Sequence, residues 1–142
     1  MFSDEMKKSP SMFVKLEDGE KVLGVFYGPP LEYKNNYKLK TDYPMGMPSY
    51  PEGTSNRFKV NFLVPVGDGT FVAKVLNGSG KLASSIESVT GKYGQTYIYE
   101  ITRLGEGTKT TYSVLPERAL TDDEKSKLPT TKLNELTLKT QE

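Results

Sequence analysis

The chain has 142 residues, with 19 basic and 18 acidic side chains, a net charge of +1, and neither cysteine nor histidine. Without those two residue types there is no disulfide framework, no thiolate or imidazole metal site, and no Ser-His-Asp or Cys-His catalytic unit. No apolar run approaches the roughly 18 residues that span a bilayer, so no membrane partner is expected.

Met1 to Ser11 is charged and lacks the apolar core of a secretory signal, which predicts cytosolic placement; residues 1–12 read as a flexible arm. Glu20 to Tyr27 is rich in β-branched and aromatic residues and is expected to form a strand that stops at Gly28-Pro29-Pro30. A long, proline-bearing loop is then expected over Leu31 to Asn56, containing one short edge strand within Tyr33 to Lys40. Arg57 to Val66 alternates clearly, with Phe58, Val60, Phe62 and Val64 on one side and Arg57, Lys59, Asn61 and Leu63 on the other. A period of two over this length predicts a strand with one buried face. Gly67-Asp68-Gly69 is a tight hairpin connection, and Thr70 to Leu76 returns as the partner strand.

The period changes after Asn77. Ser79 is placed to cap a helix along which Leu82, Ile86, Val89 and Tyr93 recur, and Gly91 and Gly94 suit its end. Strands follow at Thr96 to Arg103 and Lys109 to Leu115, joined through Gly105-Glu106-Gly107, with Pro116 ending the second. Thr121 caps a short acidic helix, and a polar tail begins at Pro129. The order is that of a mainly β, five-stranded OB-fold barrel with its helix between strands three and four. It divides into the arm, an OB domain over 13–116, and a helix with tail over 117–142. An open β-sandwich carrying one helix is the alternative architecture.

Charge is uneven. Residues 57–115 hold seven basic and four acidic groups, a net +3, while the remainder of the chain is net −2. An OB-fold binds across its second and third strands, flanked by the first–second and fourth–fifth loops. The strands offer Arg57, Lys59, Asn61 and Lys74. The first loop offers Tyr33, Lys34, Tyr37, Lys38 and Lys40, where lysines interleave with tyrosines and no acid intervenes. Aromatic rings stack on unpaired bases while lysines meet phosphates. Arg103 and Lys109 stand at the shoulders of the last hairpin. Asn77-Gly78-Ser79-Gly80-Lys81 sits between strand and helix like a phosphate-binding loop, but Val75 and Leu82 occupy positions where that motif requires glycine and Ser or Thr. The carboxylate clusters Glu17/Asp18/Glu20 and Asp122/Asp123/Glu124 lack metal-ligand spacing, so no active site, metal or cofactor is expected.

Three patches resemble phage-encoded single-stranded DNA-binding proteins of the OB-fold type. They are Phe13-Val14-Lys15-Leu16-x-Asp18-Gly19-Glu20 leading to Gly24-Val25-Phe26, then Arg57-Phe58-Lys59-Val60-Asn61 leading to Ala73-Lys74-Val75-Leu76, then Ile101-Thr102-Arg103-x-Gly105-x-Gly107 leading to Thr110-x-Tyr112-Ser113-Val114-Leu115-Pro116. A weaker echo lies at Leu133-Asn134-x-Leu136. The resemblance implies a non-enzymatic protein that coats single-stranded DNA during phage replication or recombination in the cytoplasm of an infected bacterial host. It also implies a groove lined by Arg57, Lys59, Asn61, Lys74 and Arg103, with phage or host replication proteins and a second copy of the chain as further partners. The chain departs from the family in having no tryptophan and no strongly acidic C-terminal tail. An OB module that binds only protein, an oligosaccharide-binding OB domain and a small carboxylate glycosidase are the alternatives.

Overall fold

The computed structural model describes residues 12–138. The expected arm therefore lies outside the described residues except for Met12, as does the tail beyond Leu138. In chain order the elements are β1 (Lys21–Asn36), β2 (Thr41–Pro44), β3 (Thr54–Gly67), β4 (Thr70–Ser79), α1 (Gly80–Tyr93), β5 (Tyr97–Leu104), a 3-10 turn (Gly107–Lys109), β6 (Thr111–Ala119), α2 (Asp122–Lys127) and a second 3-10 turn (Leu128–Thr130). The strands form one antiparallel sheet of six in the order β4-β3-β1-β5-β6, with β2 added on β1.

The expected stop at Gly28-Pro29-Pro30 is not a stop. Prolines have no N–H to give to a ladder, and Gly28 takes φ +79°, so pairing with β3 lapses between Tyr27 and Leu31 and then resumes. The lapse is a bulge because β3, at 14 residues, is long enough to lie beside both halves of β1. Tyr33–Asn36 is thus the end of β1, and the anticipated long loop shrinks to a turn at 37–40 and a loop over 45–53. Pro116 likewise fails to end β6. It sits opposite Tyr99 beside a register shift, on a strand whose only ladder among the described residues is to β5, where a missing N–H is tolerated.

Local signals set the remaining boundaries. Asp68 and Gly69 form a two-residue connection with φ +53° and +73°, the left-handed pair whose twist matches the flanking strands. Ser79 Oγ accepts from Leu82 N at the start of α1, and Gly94, at φ +87°, returns its N–H to Thr90 O at the end. The helix stands between β4 and β5, as expected. The expected barrel closure is not seen: among the described residues no ladder joins β6 to β4, so the sheet stays open. The outer edge of β4 instead meets the chain before β1, through Val14 N to Val75 O at 2.9 Å and Val75 N to Met12 O at 2.6 Å.

Two apolar clusters hold the sheet. Phe26, Phe58, Val60 and Phe62 pack with Tyr99, Ile101 and Val114 under α1. On the reverse of β3, Leu63 joins Val25, Phe71, Ile98, Leu120 and Leu128. The alternation of β3 is as expected, but its second face is also buried at Asn61 and Leu63, because the chain after β6 returns to cover it there. Its anchor is Glu124 in α2. Glu124 closes a capping box with Thr121 and takes a two-pronged ion pair from Arg118, at 2.7 and 2.9 Å. The Arg118 hydrogen bonds are the main reason its carboxyl is held at about 2, below the ordinary 4.5.

Gly24 lies where β1 passes from β5 to β3, and a Cβ there would meet the ring of Phe62 at 2.5 Å. Phe62 is fully buried and has nowhere to retreat. Gly24→Ala should therefore cost about 1–3 kcal/mol, read as a lower urea midpoint; an unchanged midpoint would show that the ring is free to move. A second prediction concerns acid. A carboxyl whose pKa is depressed on folding contributes stability that is complete above pH 4.5 and is lost as pH falls through about 2. The stability gap between the native chain and Glu124→Gln should be constant above pH 4.5 and shrink on acidification towards pH 2. A pH-independent gap would contradict the pairing.

Candidate nucleic-acid interface

Directly opposed residues of antiparallel strands share a face. The register therefore aligns three rows across β1, β3 and β4: Tyr33, Arg57 and Ser79; Leu31, Lys59 and Asn77; Tyr27, Asn61 and Val75. The upper two rows form one polar network. Arg57 Nη2 donates to Asn77 Oδ1 at 2.7 Å, and Asn77 Nδ2 donates to the Tyr33 hydroxyl at 3.0 Å. Lys59 Nζ stands 5.3 Å from the centre of the Tyr33 ring and 3.9 Å from the Asp42 carboxylate of β2. Asp42 in turn accepts from Asn35 Nδ2 at 2.8 Å.

This network places several expected ligand residues in structural work. Tyr33, only 3% exposed, lies beneath Lys59 and offers no free ring for a base. Lys59 Nζ lies against the Asp42 carboxylate and donates to Thr137 O at 2.7 Å. Asn61 is buried and exchanges hydrogen bonds with the backbone of Asn134, giving Nδ2 to Asn134 O at 3.1 Å and receiving Asn134 N at 2.9 Å. Asn134 Nδ2 also donates to Ala73 O of β4 at 2.8 Å. Residues 134–137 therefore lie across the middle of the face that the alternation of β3 marks as solvent-facing. Nothing near Asn61 in sequence signals this, because its partner is 73 positions away.

The tip of the β1–β2 hairpin is different. Asn36, 1% exposed, ties it down: its amide donates to Glu52 O and Thr54 Oγ1, both at 3.1 Å, and its carbonyl accepts from Leu39 N at 3.0 Å. On that anchored base Tyr37 is 87% exposed, with Lys38 and Lys40 exposed beside it. Lys40 holds φ +52°, the left-handed conformation that completes the four-residue turn. Behind the tip, Lys34 Nζ stands 5.3 Å from the Tyr50 ring centre, while Tyr50 holds its own loop by donating to Pro44 O at 2.8 Å. Tyr37, Lys38, Lys40, Lys34 and Arg57 thus share one end of the molecule.

Three expected residues do not join them. Lys74 is opposed to Phe62, so it stands on the α1 side of the sheet, across from Arg57 and Lys59; grouping it with them is corrected by the register. Arg103, on β5, clamps the chain before β1 and the last hairpin, with Nη1 to Leu16 O at 2.7 Å and Nη2 to Thr110 Oγ1 at 3.4 Å, and its Nε is buried without a partner. Lys109 is exposed on the 3-10 turn of that hairpin, where Gly105 is required because a Cβ would meet Lys109 O at 2.4 Å. Asn36, Asp42, Asn77 and Asn134 matter here and are not among the site residues expected from sequence, although Asn77 stands in the rejected phosphate-loop motif and Asn134 in the weak C-terminal echo. For Asn36 the local signal is the Asn35-Asn36 pair, which suits a turn. Among the described residues no group of three or more acidic side chains is arranged to hold a metal ion.

Removing the Asn61 carboxamide leaves Asn134 N–H without its acceptor. Asn61→Ala should raise hydrogen exchange at the Asn134 amide about tenfold or more while leaving β3 protected; unchanged exchange would mean that the segment is held by other contacts. Comparison with protein families, curated proteins and solved structures found no match to this chain.

Proposed function

We propose that this protein binds single-stranded DNA, without sequence readout and without chemistry, through the β1–β2 hairpin and the adjoining face of β3 in an OB-type arrangement. The observation that carries the reading is Tyr37, a ring 87% exposed on the same four-residue turn as Lys38 and Lys40, on a hairpin that a buried asparagine holds in place. An exposed, pre-positioned ring loses little freedom on stacking, and lysines on the same turn can meet the phosphates near a stacked base. Arg57 continues the cationic path onto the sheet beside Tyr33, while Lys34, opposed to Asn56, adds a cation behind the tip on the other face. Strand order and helix position are those of an OB-fold read without its final ladder, and the resemblance to phage single-stranded DNA-binding proteins covers β1, β3, β4 and the β5–β6 hairpin. Coating of single strands in phage replication or recombination, inside an infected bacterial host, follows from that resemblance.

The segment over 134–137 sits where a strand leaving the hairpin would next run, on Lys59 and Asn61. A bound strand either stops at Arg57 or lifts this segment.

A titration with fluorescent oligo-dT, against duplex DNA and at three salt concentrations, tests the proposal. Single-strand binding should fall with salt and exceed duplex binding. Tyr37→Ala should weaken it by about 1–3 kcal/mol, roughly 5- to 150-fold, at every salt concentration. Lys38→Ala should weaken binding and reduce the salt slope by about one. No binding at low salt would end the nucleic-acid reading.

A further inference from the structure

On the other side of β3 lies a groove that the nucleic-acid reading does not use. The bulge at Gly28-Pro29-Pro30 carries β1 away from β3, and α1 spans the gap, leaving a hollow of about 310 Å3. Its floor is Phe58 and Val60 of the core, and its wall is Ala83 and Ile86 of α1. A second hollow of about 220 Å3 shares Glu32, Phe58, Ala83 and Glu87 with the first, so the two run together along the helix.

The charge of this groove is opposite to that of the hairpin. Glu32 and Glu87 line it, both exposed, and among the described residues neither carboxylate has a hydrogen bond or an ion pair. The first hollow has no lysine or arginine on its lining, in a chain with 19 of them. The one cation beside the second, Arg57, is engaged with Asn77. Two uncompensated carboxylates over an apolar floor disfavour a phosphate and favour a cation attached to something greasy. The volume is at the small end for a ligand site, about 300–1,000 Å3, which suits one side chain and its flanking backbone rather than a helix.

We infer that the groove between α1 and the β1 bulge is a docking site for a partner protein, and that it takes a peptide segment with one bulky apolar side chain flanked by lysine or arginine. The apolar side chain fills the hollow over Phe58 and Ile86. The flanking cations pair with Glu32 and Glu87. Glu32 is opposed to Phe58 and Lys59 stands on the reverse face, so the first hollow lies apart from the hairpin, and the two surfaces meet only at Arg57 beside the second hollow. The inference does not depend on the nucleic-acid reading.

The test is amide NMR on the full chain with three synthetic peptides: Gly-Lys-Phe-Lys-Gly, its glutamate-flanked form Gly-Glu-Phe-Glu-Gly, and Gly-Lys-Gly-Lys-Gly. The first should give saturable shifts at Ala83, Ile86 and Glu87. The other two should move those amides at least tenfold less at equal concentration. Glu32→Gln combined with Glu87→Gln should weaken the first peptide at least fivefold while leaving the melting temperature and the oligo-dT titration unchanged. Should the double variant melt lower, Glu87→Gln alone carries the comparison, with at least a twofold loss expected. The inference is overturned by an absence of shifts at millimolar peptide, by an equal response to the glutamate-flanked peptide, or by variants that bind as the native chain does.

Discussion

The contact between Phe62 and Gly24 is the constraint on which the rest of the molecule turns. Strand β1 serves two neighbours, pairing with β5 over Lys21–Gly24 and with β3 from Val25 onward. At the changeover the strand must come close to the core, and Gly24 permits this because it has no side chain to meet the Phe62 ring. That ring then packs on Phe26, 5.0 Å between centroids, and Phe26 packs on Tyr99 of β5 at 5.5 Å. One missing Cβ thereby lets a single cluster of tilted aromatic rings join the two halves of the sheet. Everything placed relative to β1, including the hairpin at one end and the clamp around Arg103 at the other, inherits its position from this packing.

A second constraint governs the candidate site. A folded chain with buried polar groups must pair them, and here it does so with the side chains that sequence alternation marks as free. Tyr33, Lys59 and Asn61 are drawn into bonds with Asn77, Asp42 and Asn134, and the free cationic and aromatic groups are displaced to the hairpin tip. The proposed interface is therefore narrower than the whole sheet face and more exposed. It consists of a rigid tip, a short cationic path behind it, and a covered middle whose cover is held by a few hydrogen bonds.

The two faces of β3 differ in kind. One carries Arg57 and Lys59 and opens on the hairpin. The other carries Phe58 and Val60 and opens, where the β1 bulge leaves a gap, on a groove rimmed by carboxylates. Strand alternation contributes to this separation by sending Glu32 and Arg57 to opposite sides, and α1 adds Glu87 to the groove while the hairpin turn carries Lys38 and Lys40. The net charge of +1 thus conceals a cationic end and an acidic groove.

By itself the sequence determined the elements whose causes are local. The alternation of Arg57 to Val66, the Asp68-Gly69 turn, the Ser79 cap with its Gly94 stop, and the Thr121 cap with Glu124 are all written within a few residues of where they act. The same is true of the lysine–tyrosine interleaving that marks Tyr37, Lys38 and Lys40. Only the tertiary structure decided that Gly28-Pro29-Pro30 and Pro116 interrupt strands without ending them, since that depends on whether a neighbouring strand continues alongside. It alone placed Lys74 on the far side of the sheet from Lys59, a matter of register between two strands. It alone buried Tyr33 and Asn61, because the groups that meet them come from Lys59 and Asn77 of β3 and β4 and from residue 134, and no local pattern records a contact that the chain makes 73 positions later. The division is physical: turns, caps and alternation depend on neighbours along the chain, whereas burial and pairing depend on neighbours across it.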